Sequence, residues 1–465
     1  DPHSVYISKE DVQKTNEPLV GNFEGVGIQF QMFNDTLLVS QTVSGCPAAK
    51  VGILPGDRII YIGDKLIAGV KTPNSEILKS LRGPKGSEVS VRVLRAGKSQ
   101  LLLFKIIRDK IPLYSVDATY MIGKEIGYIK INSFGSTTVE EFRKAFAKLQ
   151  TKGMKSLILS LQGNGGGYLN AAIQLADEFL GKDRMIVYTE GLNQPKSTAV
   201  STSVGNFETG KLIVLIDEYS ASASEIFAGA IQDNDRGWIV GRRSFGKGLV
   251  QEQIPFNDGS AVRLTVARYY TPSGRCIQKP YDKGNDEYYK DIMERAIHGE
   301  FQKADSIKYS DTVKYKTLSG RIVHGGGGVM PDYFVPADTL GFSDYYSKIT
   351  QKGLVYQFAL DYADSNRKEL STFKTSAEFE TYFGKVNVLN LFVAFAEKKG
   401  VKTNTTDLKT SSKIIDNQVK AYIARNIIGE KGFYPLIQNI DKTLLEAIAK
   451  AKLPIQQNLT SAVTK

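Results

Sequence analysis

Short β-branched and aromatic stretches, cut by glycine turns, open the chain: Val26-Gly27-Ile28-Gln29-Phe30, Leu37-Leu38-Val39, Arg58-Ile59-Ile60-Tyr61-Ile62, Val89 to Leu94 and Gln100 to Ile107. This spacing predicts a small β-barrel over residues 20–110. Two helical pieces interrupt it. One is Pro47 to Val51; the other is Pro73 to Leu81, where Ile77, Leu78 and Leu81 fall at helical spacing after Asn74-Ser75 as a cap. A domain of this kind binds rather than reacts.

From 113 to 280 the pattern becomes buried strand followed by helix. Ser156 to Leu161 runs into Gln162-Gly163-Asn164-Gly165-Gly166-Gly167 and then an amphipathic stretch with Leu169, Ile173, Ala176 and Leu180. Lys211 to Ile216 repeats the plan, entering Glu218 to Ser224 and a helix carrying Ile226, Phe227, Ala230 and Ile231. These are two strand–loop–helix units of an α/β core. Loops that follow strand carboxyl ends line the ligand crevice of such sheets, so both loops are expected at one site.

Residues 281–340 are polar and glycine-rich, which predicts irregular structure and strands, and 341–460 show apolar positions three to four apart, which predicts helices. The longest apolar runs, such as Leu391 to Ala396, fall far short of the roughly 18 residues a membrane span needs. The 465 residues suffice for about three domains. Their net charge of +11 is spread along the chain, with no basic stripe, which excludes nucleic acid as the expected partner. Cys46 and Cys276 are the only cysteines, too few and too far apart for a disulfide framework or a zinc cluster.

The three histidines, His3, His298 and His324, all lie outside the two loops, which argues against a Ser-His-Asp machine. Ser220-Ala221-Ser222-Ala223-Ser224-Glu225 stands at a strand-to-helix turn, where small residues permit a sharp backbone and the helix amino end favours developing negative charge. One of these serines is a candidate nucleophile. Lys247, flanked by Gly246 and Gly248 ahead of a strand-like run from Leu249 to Pro255, is a candidate base if burial lowers its pKa. Gln251, four positions on, is expected on the same face with its amide holding the amine.

The series Ser220 to Ile226, Gln232-Asp233, Phe245-Gly246-Lys247-Gly248, Val250-Gln251 and Tyr269 to Arg275 closely resembles the C-terminal-processing (tail-specific) serine peptidases. In that family the middle serine is the nucleophile with the lysine 25 positions on, so the resemblance selects Ser222 and Lys247. It also implies an oxyanion hole from the amides of Ala223 and of Gly166 or Gly167. Ser44 to Asp57 after Gly25-Val26-Gly27-Ile28 resembles an inserted PDZ domain. The resemblance then implies that the Gly25, Val26, Gly27 and Ile28 loop receives a free carboxylate, and it places a sensor arginine near Arg82. Ser160 and Gln162 stand where relatives usually carry aspartate and arginine, and Arg242 where they commonly carry an acid.

The expected architecture is therefore a crotonase-like protease core of βα units at 111–339, a PDZ β-barrel at 23–110, a truncated N-terminal lead-in at 1–22 and a helical C-terminal region at 340–465. The expected function is a serine endopeptidase with a Ser-Lys dyad, cutting proteins near their C-termini without metal or organic cofactor. Its partners would be proteins or peptides with free C-termini; a homodimer is left open. The resemblance implies a periplasmic or cell-envelope location. The rivals are a non-catalytic PDZ scaffold with a degenerate core and an acyl-CoA-type enzyme on the same core.

Overall fold

Strand alternation sorts the main sheet into two buried faces. The computed structural model describes residues 1–33, 35–308, 313–338 and 341–453; the expected boundary at 339/340 and the last twelve residues of the helical region lie outside them. Val116–Ile122, Ile126–Ile131, Ser156–Ser160, Lys211–Ile216, Trp238–Gly241 and Tyr333–Phe334 lie side by side in that order, the first pair antiparallel and the rest parallel. One face carries Ile129, Leu157, Leu159, Val214 and Ile239, packed in one core with Phe142, Phe146, Leu175, Ile226 and Phe227 from helices Thr138–Gln150, Leu169–Asp177 and Ala223–Asp233. Ile158 and Ile213, pointing the other way, are equally buried, and helix Lys442–Lys452 packs on the same strands. This helix thus returns to this sheet, with Leu444, Ala447 and Ala451 buried, because strands apolar on both sides need cover on both sides.

A second sheet in the same unit runs Val5–Ile7, Ala261–Tyr270, Met185–Glu190, Ser197–Val200, with Leu249–Pro255 paired to Ala261–Tyr270. Of the described residues, this unit comprises 1–21, 114–308, 313–338 and 441–453. Within 281–340, where irregular structure and strands are expected, Asn285–Ile297 is a helix. Its buried positions are Tyr288 and Arg295, so the inward face carries a guanidinium and a phenol instead of the aliphatic stripe that would have revealed it.

Of the described residues, the second unit comprises 22–33, 35–113 and 341–440. Ile28–Phe33, Thr36–Thr42, Arg58–Ile62, Glu88–Leu94 and Leu102–Ile107 form an antiparallel sheet over a core with Ile53, Ile77 and Leu81, so Ile28–Phe33 is an edge strand. Helices Asn74–Leu81 and Pro47–Lys50 stand where the apolar spacing puts them. The helical part of this unit packs around the long helix Thr405–Ile428 with an aromatic core that includes Phe358, Phe379 and Phe392. Arg367 Nη2 donates to the Pro55 carbonyl at 3.1 Å and Gln41 Nε2 to Glu430 Oε1 at 2.7 Å, tying sheet and helices together. No helix among the described residues is long and apolar enough to cross a membrane.

Candidate active site

Ser160 and Leu215 are register partners on adjacent parallel strands, which brings the loops that follow them together. The serine triplet occupies the second loop. Ser220 Oγ donates to the Leu161 carbonyl at 2.8 Å and Ser224 Oγ to the Asn164 carbonyl at 2.9 Å, both fully buried, so these two hydroxyls brace one loop against the other. Ser222 lines an open cleft of about 1020 Å³. Its backbone has φ +56° and ψ −114° at the start of helix Ala223–Asp233, a conformation costly for a side chain and tolerated where surrounding structure imposes it.

The glycine loop is anchored without the aspartate and arginine that the family resemblance leads one to expect there. Gly163 N donates to Asp217 Oδ1 at 3.0 Å, Lys130 Nζ to the Gln162 carbonyl at 2.8 Å, and Asn164 Nδ2 to the Ile131 carbonyl at 3.0 Å. A Cβ on Gly166 would stand 2.8 Å from Ser222 Cβ, so only glycine lets the loop come this close to the candidate nucleophile. Of the expected oxyanion donors, Gly166 is engaged elsewhere: its amide donates to Asn164 Oδ1 at 2.9 Å. The amides of Gly167 and Ala223, whose residues line the same cleft, make no hydrogen bond among the described residues.

Lys247 lines that cleft as well. Burial pushes its pKa down and Arg263 adds to the effect, while Glu225 opposes it. Among the described residues its Nζ makes no hydrogen bond or ion pair, unlike the neighbouring buried Lys279, which Asp291 holds at 3.0 Å. Lys247 is thus a half-buried amine without a carboxylate partner, the condition under which a lysine serves as a base. Gln251 is in the cleft, yet its Nε2 donates to Thr265 Oγ1 at 3.4 Å rather than to the amine. The pairing irregularity between Val250 and Gln251 sets Gln251 opposite Thr265, whose hydroxyl in turn donates to Asp1 Oδ1 at 2.9 Å.

Other residues join this site that sequence reasoning gave no role. Glu225 is fully buried and accepts four hydrogen bonds; burial pushes its pKa up to about 7. Its place three residues after Ser222 is the capping-box spacing, a signal legible in the sequence. Tyr269, also buried, donates to the Lys247 carbonyl at 2.5 Å and is shared with the Ser222 carbonyl at 3.1 Å. His3, remote in sequence, has its pKa lowered to about 4 by burial and then by Lys247 and Lys279. Asp233 does not face the cleft chemistry: it forms a fully buried ion pair with Arg275 at 2.8 Å. Arg242 pairs with Glu218 at 2.7 Å, which accounts for a cation at that position.

In the second unit, Gly25 ends the strand Asn22–Gly25 and Ile28 begins the edge strand, with Val26 and Gly27 in the loop between them. Gly27 has φ +80° and a Cβ there would lie 2.6 Å from Cys46 Cβ. Ile28, Phe30 and Met32 pack half-buried against the core that holds Ile77 and Leu81 of helix Asn74–Leu81. Arg82 follows that helix with its guanidinium 4.8 Å from the centre of the Phe23 ring.

Residues 125–284 match the model of peptidase family S41, residues 25–106 that of the PDZ domain, and residues 345–429 a family of unknown function, DUF8443. The chain therefore carries a peptidase family S41 domain preceded by a PDZ domain. Proteins named as carboxy-terminal processing proteases and as CtpA-like serine proteases are similar to it. The carboxy-terminal-processing protease of Bartonella bacilliformis is 40% identical over 283 residues, 60% of this chain and 64% of that protein. Carboxy-terminal processing protease CtpB of Bacillus subtilis is 37% identical over 281 residues, 60% of this chain and 58% of that protein. A probable CtpA-like serine protease of Staphylococcus haemolyticus is 31% identical over 319 residues, 68% and 63% of the two chains. The matched stretch thus spans less than two thirds of each of these relatives.

Proposed function

We propose that this protein is a serine endopeptidase of the carboxyl-terminal processing type, built on a crotonase-like core with an inserted PDZ barrel. Ser222 is its nucleophile and Lys247 its base. The observation that carries this reading is the partnerless, half-buried amine of Lys247 in the same cleft as Ser222, which itself stands at a strained strand-to-helix elbow.

Neutral Lys247 takes the proton as Ser222 Oγ attacks a peptide carbonyl carbon. The tetrahedral oxyanion receives the amides of Ala223 and Gly167, one such donor being worth about 3 kcal/mol of barrier. The C–N bond then breaks, and the Lys247 ammonium returns its proton to the departing amine. Water attacks the acyl-enzyme, giving its proton to Lys247, and the ester bond to Ser222 breaks with Oγ reprotonated. Gln251 orients Lys247 once its amide is released from Thr265. Extended substrate tails add to the edge strand Ile28–Phe33, with their carboxylate on the Gly25–Ile28 loop, an apolar last side chain over Ile77 and Leu81, and Arg82 sensing occupancy. The same reading carries with it a bacterial periplasmic or cell-envelope location, a part of the proposal that rests on family resemblance alone.

Cleavage of a fluorescein-labelled unfolded polypeptide with an apolar C-terminus should be abolished in Ser222→Ala and in Lys247→Ala, both folded by circular dichroism. Turnover retained by either variant overturns the dyad. Amidating the C-terminus of a fluorescent decapeptide should weaken its binding at least about tenfold; equal affinity for both forms removes carboxylate capture.

A further inference from the structure

The two candidate reacting residues sit 25 positions apart on different elements, yet the same two buried side chains hold the backbone of both. Glu225 Oε2 accepts the amide of Ser222 at 2.8 Å and that of Lys247 at 2.9 Å. Its Oε1 accepts Gly246 N at 2.7 Å and Ser244 Oγ at 2.5 Å. On the carbonyl side, Tyr269 Oη bridges Lys247 and Ser222. Each peptide is thus gripped at its N–H by one side chain and at its C=O by the other. Glu225 and Tyr269 are 0% and 1% exposed, so water does not compete for these bonds.

Resting on the peptidase reading above, we propose that Glu225 and Tyr269 are positioning residues that fix the separation of the Ser222 hydroxyl and the Lys247 amine through their backbones. Four donors fill the lone pairs of the Glu225 carboxylate, and a proton on it would displace one of them. The clamp is therefore complete only when Glu225 is ionised, against the burial that raises its pKa. Its negative charge also favours the ammonium form of Lys247. Geometry and protonation of the base are set from one position.

The test measures kcat, KM and the pH dependence of kcat/KM for wild type, Tyr269→Phe, Glu225→Gln and Ser222→Ala on the same labelled polypeptide. Misplacing reacting groups by about 1 Å costs on the order of 100-fold, so Tyr269→Phe should lower kcat by about 10- to 100-fold with KM unchanged. Its pH profile should keep its position, because no charge is altered. Glu225→Gln should lower kcat comparably and also move the acidic limb of kcat/KM to lower pH, since Lys247 loses an anion. Wild-type kcat in a folded Tyr269→Phe, or a change confined to KM, overturns the clamp. So does an unshifted acidic limb in a folded Glu225→Gln. Should Glu225→Gln not fold, Tyr269→Phe alone decides. Activity surviving in Ser222→Ala would instead sink the peptidase reading and leaves a separate signature from failure of the clamp.

Discussion

Asn164 holds Gly166 by its amide: Asn164 Oδ1 accepts Gly166 N at 2.9 Å while Asn164 Nδ2 donates to the Ile131 carbonyl at 3.0 Å. This fully buried side chain decides which amides of the glycine loop are spent and which remain to meet a substrate. Asn164→Ala strands two buried partners, so it should destabilise the protein by roughly 2 kcal/mol or more. Because the loop also carries Gly167, kcat should fall by about 10-fold or more with little change in KM. Urea unfolding and steady-state kinetics check both numbers; a stable variant with full turnover would show that the loop holds its shape unaided.

Lys247 should make the protein less stable at neutral pH. Its folded pKa lies below the usual lysine value because burial disfavours the ammonium form. Below the folded pKa both states are protonated and the penalty is in force. As pH rises from the folded pKa toward the unfolded value of about 10.4, the unfolded chain holds more protons and stability is regained. Lys247→Met should therefore melt higher than wild type at pH 7, and the gap should narrow as pH approaches 10. Melting curves across that range test it, and a constant gap would mean the gain is packing alone.

Ser222 adopts φ +56° with ψ −114°, a region open to glycine and costly to other residues. Ser222→Gly should lose all hydrolysis yet be more stable by about 1 kcal/mol, since relief of a strain of about 1–3 kcal/mol exceeds the entropy glycine adds to the unfolded chain. Chemical denaturation gives the difference, and a destabilised variant would show that the elbow stores no strain.

Asp233 and Arg275 are paired at 2.8 Å with neither side chain exposed. Asp233→Ala leaves a guanidinium buried and uncompensated, at a cost of about 3–5 kcal/mol. Below its lowered melting temperature the folded fraction should keep wild-type kcat, which separates a structural acid from a catalytic one. A specific loss of kcat at unchanged stability would reverse that assignment.

Local physics made much of the frame legible. Apolar runs at Ser156–Ser160 and Lys211–Ile216 announce buried parallel strands, and the spacing of Ile77 and Leu81 announces a helix, because period and burial are properties of neighbouring residues. The small residues around Ser222 and the glycines around Lys247 likewise mark their turns. Three equivalent-looking serines were separable only by resemblance; in three dimensions Ser220 and Ser224 turn inward onto backbone carbonyls and Ser222 faces the cleft. The helix Asn285–Ile297 escaped because a buried Arg295 is paid in ion pairs that no hydrophobic period records.

The rest belongs to the tertiary structure. Tyr269 lies 47 positions from Ser222 and 22 from Lys247, and its hydroxyl joins them only because strand Ala261–Tyr270 pairs with the strand that follows Lys247. The direction of Gln251 depends on an irregularity in a strand pairing, and the fate of the Gly166 amide on one asparagine. Sequence determines which residues are helical, extended or buried because those preferences act over a few positions. Which hydroxyl meets which amine depends on hydrogen bonds closed across long loops, and these exist only once the whole core has packed.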